Sequence, residues 1–223
     1  MPTPTEFLQS LVLVPVTLLP IINPLAGAPV FSMTAGPEPA ATRSLARQVA
    51  INCWFILVGS LLVGTYVLEL FGISLPIVRI GGGLLVAASG WRMLNHSDDD
   101  EVRAAVKRQA TALSHAEVVK RSFFPLTFPL TTGPGTIAAA IAIGAGLPRQ
   151  PALYVVGAGV AVLGATLTVA VIYLVYRHAA RLMARLGEVG AMVMTRLMAF
   201  MLLCLGIEIL WTGWAELNGI AQR

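Results

Sequence analysis

The chain has 223 residues, of which 57% are hydrophobic and only 12% charged, and its mean hydropathy is +0.79. Soluble proteins carry about 25% charged residues, so a water-soluble domain is excluded and an integral membrane protein follows. The net charge of +4 is not a nucleic-acid signature, because the bases fall in loops beside apolar runs and read as topology signals.

The first residues, Met1 to Glu6, offer no basic segment and no small-residue cleavage site, so no cleaved signal peptide is expected. Span 1 is expected over 7–34, in an apolar run that carries no charge until Glu38. Pro15, Pro20, Pro24 and Pro29 fall inside it, with Asn23 before Pro24. Each proline removes a backbone donor and crowds the preceding turn. In hydrocarbon the freed carbonyls cannot turn to water, so such a span survives only where it is buried or lines a cavity. The expectation is two half-helices meeting near Asn23–Pro24.

A loop with Pro37, Glu38, Pro39, Arg43 and Arg47 is expected next, then span 2 over 48–70 with Glu69 at its end. After a tight connection at 71–76, span 3 covers 74–94 and contains Arg79 and Gly81-Gly82-Gly83. The polar stretch from His96 to Arg121 opens with Asp98-Asp99-Asp100-Glu101 and reads as a solvated linker. Span 4, over 122–146, repeats the character of span 1. It holds Pro125, Pro129 and Gly133-Pro134-Gly135 among Thr127, Thr131, Thr132 and Thr136. Span 5 is expected over 151–176, a basic loop at Arg177, Arg181 and Arg185, and span 6 over 189–214 with Arg196 and Glu208 inside. Cys53 and Cys204 lie in spans as small apolar fillers, so a disulfide is not expected.

Loops after spans 1, 3 and 5, with the span ends, hold eleven of the basic residues, against Arg149 and Arg223 on the other side. That asymmetry predicts a cytoplasmic face for the first set and both termini outside. The halves also repeat. A broken span, a plain span and a span with one arginine near its start recur, with Pro24 to Arg79 matching Pro134 to Arg196. Three spans per half is odd, so the second half must insert upside down. The expected fold is an all-α membrane protein with six transmembrane helices as two inverted three-helix repeats, the first and fourth helices broken. Residues 1–97 form the first repeat, 98–121 a cytoplasmic linker and 122–223 the second repeat.

Two interrupted spans at matching places point to the binding site of a transporter. Half-helices starting near Pro24 and Pro134 present partial positive charge and free N–H groups to a carboxylate. Carbonyls freed before the prolines, with Asn23, Thr131 and Thr132, suit an amino group or a cation. The candidate solute site is therefore Asn23, Pro24, Thr131, Thr132, Gly133, Pro134 and Gly135. Arg79 and Arg196 either snorkel or take an internal role, bonding carbonyls freed at the breaks or lining the solute path. Glu208 is a candidate proton carrier, although Trp211 and Trp214 just after it read as an interfacial belt. No organic cofactor or metal is expected, only a coupling H+ or Na+. An enzyme is not expected either, because His96, His115 and His178 fall in loops or at span ends and no span contains Asp. Small residues at Ser60/Gly64, Gly83/Ala87, Ala140/Gly144 and Gly157/Ala161 read as helix-packing positions, and a homo-oligomer stays open.

Three groups of residues together resemble the MarC family of bacterial and archaeal membrane proteins. They are Asn23-Pro24 with Pro29 and Phe31, then Phe71-Gly72-Ile73-Ser74-Leu75 leading to Arg79-Ile80-Gly81-Gly82, then Pro129 with Gly133-Pro134-Gly135-Thr136-Ile137. The similarity spans essentially the whole chain. It implies six spans in two inverted halves, a place in the wider group of LysE-like exporters, and residence in the bacterial inner membrane. It also implies a carrier of small neutral amino acids, the role attached to some members. Members usually have glycine two positions after the proline of the Asn-Pro pair, where this chain has Ala26 followed by Gly27. Rival readings are a passive channel, which needs a continuous polar path, and a non-transporting partner subunit, which would give the paired breaks no purpose.

Overall fold

The computed structural model describes residues 4–36, 38–95, 122–148 and 150–220. The linker expected over 98–121, His96, Arg149, Arg223 and Pro37 lie outside the described residues. Among the described residues all regular structure is helical. The first pair of helices is α1 (Pro4–Ile22) and α2 (Pro24–Ala35), broken at Asn23 alone. The plain helices α3 (Pro39–Leu70) and α4 (Leu75–Asn95) follow. The second broken pair is a wide helical segment α5 (Ser122–Thr131) and α6 (Pro134–Ala145). Then come α7 (Pro151–Arg177) and α8 (Ala179–Leu217).

Proline writes many of these boundaries. Pro24, Pro39, Pro134 and Pro151 each begin a helix, the position where a missing N–H costs nothing and the fixed φ is already helical. Four stretches are long and apolar enough to cross a membrane unaided: Pro39–Leu70, Leu75–Asn95, Pro151–Arg177 and Met192–Leu217. Two bent pairs pass the same test jointly, Leu11–Ile22 with Pro24–Ala35 at 57° and Ser122–Thr131 with Pro134–Ala145 at 67°.

Two expected loops are helical instead. Arg43 and Arg47 lie in the first turns of α3, which begins at Pro39 rather than near 48. Leu45, Ala46 and Val49 are buried there, so the segment has an apolar stripe to pack and its arginines stay exposed. Likewise the basic stretch after span 5 is helical from Ala179, and the chain turns at Gly187 (φ 65°) before the apolar run resumes. Charge in a helix of good helix formers does not stop it; the left-handed glycine does.

The buried core runs along α1, α2, α3 and α7. α3 lies parallel to the second broken pair, with Asn52 beside Ser122 and Leu61 beside Gly144. α7 lies parallel to the first, with Gly164 beside Val14 and Tyr176 beside Gly27. α4 and α8 pair antiparallel through a glycine seam. A Cβ on Gly83 would fall 2.7 Å from the Gly206 carbonyl, on Gly90 2.7 Å from the Ala199 carbonyl, and on Gly213 2.7 Å from the Pro76 carbonyl. Such approach is open only to residues without a side chain. Of the small-residue positions read from sequence, Gly83 and Ala87 face Gly206, while Gly64 and Gly144 join α3 to α6 through Ile141 and Leu61.

Candidate functional site

The first break is a single residue. Asn23 adopts a left-handed conformation (φ 47°, ψ 62°), which asparagine tolerates better than most side chains. Its backbone N–H donates to the Leu19 carbonyl at 2.8 Å, closing α1. Its carbonyl accepts from Ala26 and Gly27 at 3.1 and 3.3 Å, and its side-chain Oδ1 accepts from the Ala26 N–H at 3.3 Å. Asn23 thus ends one helix and caps the next. Because Oδ1 is fixed by this cap, the Nδ2 amino group points elsewhere. It is buried, with no hydrogen-bond partner among the described residues. Pro24 is buried beside it. The first turn of a helix leaves N–H groups without intrahelical acceptors; Asn23 takes those of Ala26 and Gly27, and that of Leu25 is left.

The second break is spread over a dozen residues. Phe124 (φ −121°, ψ 124°) and Phe128 (φ −120°, ψ 126°) are extended, and each precedes a proline, which disfavours the helical conformation for it. Two Phe-Pro pairs four residues apart therefore open α5 into a wide coil. Hydroxyls close it. Thr127 donates to the Ser122 carbonyl and Thr131 to the Leu126 carbonyl, both at 2.6 Å, and Thr132 to the Thr127 carbonyl at 3.0 Å. All three bonds reach five residues back, as does Thr132 N–H to the Thr127 carbonyl at 2.7 Å. Asn52 of α3 clamps the coil from outside, its Nδ2 donating to the hydroxyls of Ser122 and Thr127 at 3.4 Å while Gln48 donates to its Oδ1. Cys53 of α3 is buried close to Thr132. Gly133 is extended, and α6 starts at Pro134 with no side-chain cap, so the N–H groups of Gly135 and Thr136 are unclaimed by any capping side chain. Gly135 is buried against Val86, whereas Pro134 is exposed.

Tyr176 of α7 joins the two breaks. Its hydroxyl is 2.8 Å from Thr131 Oγ1, and a Cβ added to Gly27 would fall 2.6 Å from the same oxygen. Its ring stacks on Phe31, centroids 4.6 Å apart and planes 7° from parallel. Both rings are fully buried. Asn23, Pro24, Thr131, Thr132, Gly133, Pro134 and Gly135 thus belong to two breaks that one tyrosine links.

The three charged candidates lie elsewhere. Arg79 forms an ion pair with Glu216 across the end of the α4–α8 pair. Arg196 and Glu208 are exposed on α8 among Leu197, Phe200, Ile207 and Trp211, on the outside of the bundle.

Sequence reading passed over Tyr176, Asn52 and Gln48. A signal existed for each: a buried tyrosine hydroxyl usually finds a partner, and amides near a span start need one within the bundle. Which partner each would find is a matter of tertiary packing.

A family model described as MarC family integral membrane protein matches residues 8–218. The chain is 30% identical over 205 residues to the inner membrane protein MarC of Salmonella typhimurium, covering 91% of this chain and 92% of that one. It is 32% identical over 205 residues to the protein of the same name from Escherichia coli O1:K1, with the same coverage. No solved structure matches.

Proposed function

The chain belongs to the MarC family of integral membrane proteins, and from that premise we propose that it is a secondary transporter of small neutral amino acids, working in the inner membrane by alternating access. The observation that carries the reading is the state of Asn23. Its oxygen is spent on capping α2, and its amino group is buried and unpartnered. A buried donor without an acceptor costs about 1–3 kcal/mol, a cost that a bound acceptor removes.

The acceptor we infer is a solute carboxylate. Asn23 Nδ2, the Leu25 N–H and the positive end of α2 converge at one break, and the uncapped N-terminus of α6 offers the N–H groups of Gly135 and Thr136 at the other. Asn23 is then a donor to the carboxylate rather than a holder of the amino group. The amino group turns toward carbonyls freed at the breaks and the lone pairs of Thr131 and Thr132.

We further propose that the fold is two inverted halves of three spans. Twelve residues in each arm of the first pair give about 18 Å apiece. Bent by 57°, they reach about 32 Å end to end, close to the roughly 30 Å hydrocarbon core. Helix direction supports the inversion. α3 runs parallel to the other half's broken pair, α7 parallel to the first half's, and α4 antiparallel to α8. Two halves inserted the same way up would reverse all three of these. Both termini then lie outside, and rocking of the halves exposes the breaks to each face in turn. Among the described residues no carboxyl lies at either break, so a coupling cation, if flux needs one, is better matched by Na+ on freed carbonyls than by a proton on Glu208.

The test is radiolabelled alanine uptake in proteoliposomes with Asn23→Ala. Loss of about tenfold or more per folded protein is expected for a removed charge-assisted bond, with a lower melting temperature because the α2 cap goes with it. Unchanged uptake by a folded variant overturns the site.

A further inference from the structure

We propose that Tyr176 and Phe31 form the closure that seals the site from the face of the protein bearing the α2–α3 and α7–α8 connections. The inference rests on the transporter reading only in taking the breaks as the site. On α2, Gly27 and Phe31 lie one and two turns beyond Asn23, so Phe31 is about 12 Å from the break along the helix, toward the end at Ala35. Tyr176 is the penultimate residue of α7, with only Arg177 between it and the connection at His178. The stacked rings therefore sit between the break and that face, and neither is reached from outside.

Three elements meet on this one tyrosine. The ring rests on Phe31 of α2, the hydroxyl bonds Thr131 of α5, and Gly27 leaves the space that the hydroxyl fills. Phe31 and Tyr176 come from opposite halves of the sequence, so any rocking that separates α2 from α7 must part the rings. The Tyr176–Thr131 bond lies within the second half and survives that motion. The stack is thus the bond that breaks, and the hydroxyl bond holds Tyr176 in position to remake it. Cys53 of α3 is buried close to Thr132 and to the Tyr176 hydroxyl.

Cys53 is a native reporter of the seal. With exposed Cys204 replaced by serine, the full chain in proteoliposomes is treated on both sides with a charged methanethiosulfonate reagent. The parent is expected to react slowly. Phe31→Ala and Tyr176→Ala are expected to react about tenfold faster, the upper end of what losing one aromatic pair does to a closed–open equilibrium. Tyr176→Phe, which keeps the stack, is expected to stay within about threefold of the parent. If the alanine variants do not fold, Phe31→Leu, which keeps an apolar side chain, carries the test with the same expected direction. Equal reactivity of Cys53 in parent and folded Phe31 variants overturns the closure, as does a Tyr176→Phe rate equal to that of Tyr176→Ala. Alanine uptake separates the two readings. Faster Cys53 labelling without any alanine flux keeps the closure and removes the solute assignment; alanine flux with Cys53 sealed in every variant does the reverse.

Discussion

The two breaks each bend an apolar helix pair and are built in opposite ways. At the first, one left-handed asparagine does everything, and the result is an open donor. At the second, two extended phenylalanines unwind a whole segment, and hydroxyls of Thr127, Thr131 and Thr132 close it again with Asn52 as an outside clamp. The polar side chains are thus most abundant where they are most occupied. A count of hydroxyls would put the solute at the second break. Counting unsatisfied donors instead favours the first for the carboxylate of the proposed solute, with the backbone N–H groups of α6 added by the second.

The largest expected effect sharpens that contrast. Asn23→Asp keeps an oxygen for the α2 cap, where aspartate is as good as asparagine, and removes the amino group. The fold is expected to hold, with a melting temperature near that of the parent. Alanine binding measured by equilibrium dialysis is expected to fall about 10- to 100-fold, as a charge-assisted bond is lost and a like charge is set against the carboxylate. A variant that binds alanine as the parent does would place recognition elsewhere.

At the second break the same kind of change is expected to strike stability. Asn52→Ala removes the donor to Ser122 and Thr127, and Thr127→Val removes one internal bond of the coil. Each is expected to cost about 1–3 kcal/mol, the range for stranding buried polar partners, read as earlier unfolding in a detergent melt. Affinity of the folded fraction for alanine is expected to change by less than about threefold, under 1 kcal/mol. A large affinity loss at full stability would reverse the roles assigned to the two breaks.

The sequence reading reached the all-helical, membrane-spanning character and several helix starts because prolines and hydropathy are local signals. Pro24 and Pro134 mark helix starts wherever they pack, and the apolar runs of α4 and α7 are long enough to be read alone. It misjudged Arg43, Arg47, Arg181 and Arg185 because charge was taken for a loop signal, whereas buried neighbours such as Leu45 and Ala46 decide helicity there. The matched arginines sit in different surroundings for a related reason. Arg79 is matched in sequence to Arg196, yet its partner is Glu216, 137 residues away. Asn23 was legible because asparagine before a proline in an apolar run has few structural excuses. Tyr176 was not, since nothing nearby in sequence announces that Gly27 and Thr131 will meet its hydroxyl.

The smallest expected effect tests the link between the breaks itself. Gly27→Ala adds a Cβ that would fall 2.6 Å from the Tyr176 hydroxyl. The obstructing atom is the tip of a side chain, so the tyrosine can tilt, but tilting strains its stack on Phe31 and its bond to Thr131. A loss of about 1 kcal/mol is expected, typical of modest overpacking. Tyr176→Phe deletes the crowding oxygen. In Gly27→Ala/Tyr176→Phe the clash is gone, and Thr131 still donates to the Leu126 carbonyl. The double variant is therefore expected to be more stable than the sum of the single losses implies, by about 0.5–1 kcal/mol, within the range that touching residues show in such cycles. Additive losses would mean that Tyr176 does not rest on Gly27, and the two breaks would then be joined by packing alone.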